Sequence, residues 1–169
     1  KIMFGITLIL IGIAFALNGL IAVCKWDKRG LACVNTLIGL FVVVTSIYEL
    51  FTVTTTNNTL IYFGELLFGF TLLFMASDII WGTDKKAIGW YSIMVAVCAV
   101  TLAVYFILSD LVFLGVLWAV WSLIWVFLFV GFGATGKFRL ATFYCLILEG
   151  IVALMAVGFL QLMGVISII

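Results

Sequence analysis

One carboxyl group, Glu149, stands near the middle of an unbroken apolar run, residues 140–166, that is long enough to cross a bilayer. A charge at that depth costs roughly 2.5–3.5 kcal/mol on insertion scales, so ionisable groups inside membranes face a bundle interior or a wet path far more often than lipid. Thr142, Cys145, Ala153 and Ala156 share a helical face with Glu149. These small and polar neighbours leave room beside the carboxyl for a solute or for the backbone of another helix. Two readings therefore stay open. Glu149 lines a path and accepts hydrogen bonds from solute N–H groups, or it bonds a neighbouring helix and only holds the fold together.

Upstream, Trp118, Trp121, Trp125, Phe129 and Phe132 recur every three or four residues and so lie on one side of a helix. Trp118 suits a membrane-interface belt, but Trp125 is too deep for one, and a buried indole N–H needs an acceptor. A slot walled by indoles and ordinary helix or lipid packing both fit this stripe. A flat, neutral, polar solute would suit such a slot, because it escapes the desolvation cost that bars ions. A second aromatic line, Phe63, Phe70, Phe74 and Trp81, follows one face of an earlier run. Glu65 in that run lies about 140° around the helix from Phe70. The two cannot both point at one narrow lumen, so Glu65 faces a helix interface, guards a wider mouth or reaches toward water.

Other chemistry is excluded by what is missing. Histidine is absent, which removes Ser-His and Cys-His nucleophile pairs and imidazole metal ligands. Cys24, Cys33, Cys98 and Cys145 stand singly, without the paired spacing of zinc or redox motifs. No cofactor, metal, enzyme activity or nucleic-acid partner is expected. The Asn57-Asn58-Thr59 sequon is short and common.

The elements that must position these residues follow from composition. Hydrophobic residues are 67% of the 169 and charged residues 9%, against about 45–50% and about 25% in soluble domains. The chain reads as an all-α integral membrane protein, one domain over 1–169, with spans near 2–23, 31–52, 60–81, 88–108, 111–133 and 140–166. The first run is long for a cleavable leader and ends in Cys-Lys-Trp-Asp, which favours a retained span. Seven of the eight Lys and Arg residues fall in the turns near 27, 84 and 137. The positive-inside bias then places those turns in the cytoplasm and both termini outside. Helix, basic turn, helix occurs three times, which reads as three helical hairpins. Asn18 and Asn35, on the two arms of the first hairpin, are expected to hydrogen-bond to each other.

In order and spacing the chain resembles the UreI/AmiS family of bacterial urea and short-chain amide channels. The carriers are Asn18-Gly19, the run from Leu66 through Leu67, Phe68, Gly69 and Phe70 to Thr71, Trp90-Tyr91-Ser92, the Trp118, Trp121, Trp125 series, Gly136-Lys137-Phe138, and Glu149-Gly150. The resemblance implies a bacterial inner-membrane protein whose six helices surround a channel within each protomer. It further implies a homo-hexamer with lipid at its centre, and passive flux of urea or small amides with no cofactor. A cytoplasmic urease or amidase is the implied functional partner. By position, Phe70, Phe74 and Trp125 match constriction residues, Ile124 an aliphatic constriction position, and Glu149 a mid-channel glutamate. Glu65, Trp118, Trp121 and Thr142 are further candidates for the pore lining. Acid-gated members use histidines, so their absence argues for a pore without acid gating. A proton-coupled transporter using Glu149 and Glu65 is the alternative.

Overall fold

The computed structural model describes residues 2–134, 136 and 138–168. Lys1, Thr135, Lys137 and Ile169 lie outside the described residues, and with them part of the third basic turn and the centre of the Gly136-Lys137-Phe138 match. Six helices are long and apolar enough to span a membrane: α1 (Ile2–Cys24), α2 (Arg29–Thr52), α3 (Thr56–Trp81), α4 (Lys86–Leu108), α5 (Val112–Ala134) and α6 (Arg139–Leu162). A helix closes its own backbone hydrogen bonds, which a segment without water must do.

Local chemistry sets several boundaries. Thr55 accepts the Asn58 N–H at 3.4 Å and opens α3, while Gly82, at φ 63°, closes it in the left-handed region that glycine tolerates. Asp27 and Asp84 each accept a backbone N–H two residues on, from Arg29 at 3.1 Å and Lys86 at 3.0 Å. These bonds shape the turns that lead into α2 and α4.

The helices form a closed ring. Each packs on its neighbours in sequence, α6 returns against α1, and α1 with α3 is the one additional contact. All three helix–basic turn–helix units are present, but the tightest packing runs between units: α2 with α3, α4 with α5, and α6 with α1. Facing glycines explain the closeness. A Cβ on Gly12 would stand 2.5 Å from the Gly150 carbonyl oxygen, and one on Gly39 3.2 Å from that of Gly69; Gly89 lies directly against the Gly133 backbone. Small residues of this kind let membrane helices approach where no hydrophobic effect drives them together. Asn18 and Asn35 exchange amide hydrogen bonds at 2.7 and 3.1 Å, the expected tie across the first basic-turn unit.

Two stretches widen into π-helix, Phe129–Ala134 at the end of α5 and Glu149–Met155 within α6. Such segments carry one more residue per turn and recur at functional sites. Outside the ring, Leu37, Val44, Phe51, Val97, Leu148 and Val152 are exposed, the apolar coat a bilayer requires. Inside it, Ile11, Phe15, Phe68, Leu72 and the three tryptophans of α5 are sealed from the surface.

Candidate functional site

The inward stripe of α5 runs Leu114, Trp118, Trp121, Trp125, Leu128, with Ile124 beside it, and none of these is exposed by more than 2%. All three indoles are buried within the ring. Trp125 donates its N–H to Thr71 Oγ1 at 2.9 Å, and Thr71 in turn donates to the Leu67 carbonyl at 2.6 Å. Trp121 donates to the Ala153 carbonyl at 3.0 Å, inside the π-helical stretch of α6. Two indole planes are thus fixed from opposite sides of the ring. Trp118 Nε1 finds no acceptor among the described residues.

Phe68 is the hub of the aromatic cluster. Its ring lies 4.6 Å from Trp125, 5.7 Å from Trp121, 6.0 Å from Trp118 and 5.9 Å from Phe15, centroid to centroid. Sequence reasoning passed over Phe68 and chose Phe70, two residues and about 200° further round the helix. Phe70 is 45% exposed on the outer face with Phe63 and Trp81, so it does not join Trp125. Phe74 is half-buried and stacks on Tyr91 of α4, ring centroids 5.4 Å apart, sealing a seam between helices. The aromatic line was real, but it is the outward line of α3. An outward aromatic costs nothing in lipid, so the pattern carried no direction.

Glu65 is buried on the inward side, three residues before Phe68 and seven before Leu72, which is one helical face. Ser46 of α2 donates to its Oε2 at 3.3 Å, and Oε1 has no partner among the described residues. Of the alternatives open for Glu65, the structure shows inward burial beside α2. It could have served as the marker for Phe68, since a carboxyl avoids lipid and its stripe must be the inner one.

Glu149 begins the π-helical stretch of α6 and is 6% exposed. Cys145 donates its thiol to Oε1 at 3.2 Å, while Oε2 is unpartnered among the described residues. One lone-pair face of the carboxyl is therefore unspent. Thr142 is different. Its hydroxyl is shared between the Phe127 carbonyl at 2.9 Å and the Phe138 carbonyl at 3.1 Å, which ties α6 to α5 and leaves no hydrogen to offer a pore. Its lining role is replaced by a bracing one.

Cavities open at both ends of this core. At the basic end, one of about 590 Å³ has Asp27, Lys28, Arg29 and Lys85 among its lining residues and reaches inward to Met75, Leu128 and Leu146. At the other end, one of about 380 Å³ is lined by Thr55, Asn57, Asn58, Ile61, Leu111, Ser167 and Ile168. Leu128 and Ile61 sit on the same inward stripes as Trp125 and Glu65. The cavities therefore address the aromatic cluster from its two sides. Lys85 lies 3.8 Å from Asp78 and 5.2 Å from the centre of the Phe132 ring, which Arg139 also approaches.

A closed ring of membrane-length helices with indoles and carboxyls turned inward defines a multi-pass membrane protein built around a protected polar-aromatic axis. Residues 3–165 match the model of a family described as AmiS/UreI family transporter. The chain belongs to that family, whose members are transporters and channels rather than enzymes. It is 28% identical to a Mycolicibacterium smegmatis protein named as a transporter of amidate substrates, over 95% of this chain and 76% of that one. It is 25% identical to the acid-activated urea channel of Helicobacter pylori strain J99, over 76% of this chain and 81% of that one. The crystal structure of the Helicobacter pylori urea channel shares the fold, with a TM-score of 0.86, 24% identity, and coverage of 97% of this chain and 99% of that chain.

Proposed function

We propose that this protein is a passive channel for urea or small aliphatic amides, conducted along the ring axis past Phe68, Trp118, Trp121, Ile124, Trp125 and Glu149. The observation that carries this reading is Oε2 of buried Glu149, without a partner among the described residues, in a ring whose axis is walled largely by aromatic and aliphatic side chains and flanked by a cavity at each end. A flat solute with N–H groups satisfies that oxygen and slides between rings, whereas an ion gains too little there to replace its water. The names of the Mycolicibacterium and Helicobacter relatives point to the same solutes. In this reading the path is not acid-gated by histidine, because this chain has none.

In this reading the protein resides in the bacterial cytoplasmic membrane with its basic turns inside and both termini outside. Protomers assemble as a homo-hexamer, each with its own path, and a cytoplasmic urease or amidase consumes what enters. Light-scattering of proteoliposomes under inward urea and acetamide gradients is the test. Swelling faster than protein-free vesicles is expected, and equal rates would remove the channel. Two buried carboxyl oxygens without a partner among the described residues also suit a proton-coupled transporter. Uptake that ignores an imposed proton gradient rejects that second reading.

A further inference from the structure

Three buried side-chain polar atoms lack a partner among the described residues: Glu149 Oε2, Glu65 Oε1 and Trp118 Nε1. The last two are an acceptor and a donor, and their residues meet on α3, where Trp118 packs on Gly64, next in sequence to Glu65. The Cζ2–Cη2 edge of Trp118 lies directly against Gly64, the residue before Glu65. The indole nitrogen is bonded to the ring carbon next to Cζ2, so its N–H is carried on the edge that meets α3. Any side chain at position 64 would collide with that edge. Ser46 clamps the other carboxyl oxygen at 3.3 Å, which fixes how Oε1 is presented. Glu65 and Trp118 are 3% and 1% exposed, and buried polar groups left unpaired are rare and costly unless something fills the gap.

We propose that Glu65, with Ser46 behind it, and Trp118 form a second solute-binding station, separate from Glu149, for molecules that carry a carbonyl and an N–H side by side. Urea and primary amides have that arrangement: the carbonyl accepts from Trp118 and the amide N–H donates to Glu65. One turn toward the chain's non-basic end, Ile61 lines the smaller cavity; three residues the other way stands Phe68. The station therefore lies between that mouth and the aromatic hub, where an entering solute exchanges water for protein partners before it meets the rings. Glycerol's hydroxyls also donate and accept, but from tetrahedral carbons rather than along one flat edge, so the station favours planar solutes and adds selectivity as well as passage. This inference rests on the channel reading.

The experiment compares acetamide, glycerol and water permeability in proteoliposomes of wild type, Trp118→Phe, Glu65→Gln and the double variant. Trp118→Phe removes the donor and keeps a ring. In Glu65→Gln, Ser46 holds the amide carbonyl and turns an NH₂ toward the solute, replacing an acceptor by a donor. Each single change is expected to lower acetamide permeability about three- to tenfold with water unchanged. The double variant should fall no further than the worse single, because both groups grip one molecule. Unchanged acetamide flux, or losses that multiply, overturns the shared station while wild-type conduction leaves the channel standing. Wild type no faster than empty vesicles sinks both. If Glu65→Gln does not assemble, Ser46→Ala keeps the carboxyl but releases its clamp. A selective acetamide loss there supports the station, and an unchanged rate overturns it.

Discussion

Replacing Glu149 by Gln separates a solute contact from a structural one. The carboxyl has one oxygen held by the Cys145 thiol at 3.2 Å and one without a partner among the described residues. Gln is the same size, and its carbonyl takes over the thiol's hydrogen bond, because an NH₂ group cannot accept one. The NH₂ then occupies the place of Oε2, so a donor confronts the N–H of the passing solute. Losing that acceptor raises the barrier by about 1.5 kcal/mol, roughly a tenfold drop in urea and acetamide permeability. No bond within the fold is lost, so Tm in detergent shifts by no more than about 2 °C. Adding Cys145→Ala frees the amide to rotate and present its carbonyl, which should recover part of the flux. Stopped-flow light scattering on the two variants reads both effects. A Glu149→Gln protein that conducts as wild type would show that Oε2 does not meet the solute.

Phe68→Leu should alter amide permeability and weaken discrimination against glycerol, while Phe70→Leu, on the outer face, leaves both within about twofold; the reverse result restores Phe70 to the path. Gly12→Ala forces a Cβ to 2.5 Å from the Gly150 carbonyl oxygen and should lower Tm by roughly 2–10 °C. Gly30→Ala, with nothing within 4 Å, should leave Tm unchanged or slightly raised. In the turn before α4, burial pushes the Lys85 ammonium below its ordinary 10.5; Lys28 adds to the shift and Asp78 opposes it. Between that depressed value and 10.5 the unfolded chain binds more protons than the folded one, so stability rises with pH across this alkaline window. Lys85→Gln should flatten the rise in a series of Tm measurements, and an unchanged slope would place its origin elsewhere.

The spans were readable because one physical requirement dominates them: apolar length must match the bilayer. The runs near 31–52 and 60–81 became Arg29–Thr52 and Thr56–Trp81, differing only where polar first turns extend the helix beyond the apolar stretch. The tryptophan series and Glu149 were readable for a similar reason, since indole N–H groups and a carboxyl resist exposure to hydrocarbon. Direction failed where that resistance was lacking. Phe70 and Phe68 are chemically identical, and lipid receives either as readily as the protein interior does; Glu65, not the aromatic spacing, held the information. Thr142 failed for another reason. Its hydroxyl satisfies the Phe127 carbonyl on α5 and the Phe138 carbonyl just before α6, and nothing local distinguishes a brace from a lining residue. The choice of tight partners around the ring depends on glycines from distant helices meeting in space, and neither π-helical stretch was anticipated.

The wide turn in α6 has a mechanical consequence. On α1 the close-contact glycines Gly5, Gly12 and Gly19 come every seven residues, but their counterparts Gly158 and Gly150 are eight apart. The surplus residue is absorbed between Glu149 and Met155, so one helix runs in two phases. Both halves mesh with α1, through Gly19 against Phe143 and Ile147 before the wide turn and Gly5 against Gly158 after it, with the acid set at their junction. Excising one residue between Ile151 and Met155 would restore ordinary pitch and leave seven residues against seven on α1, so Gly158 would stay seated on Gly5; the same deletion in the regular helix beyond Met155 would swing everything after it by about 100°.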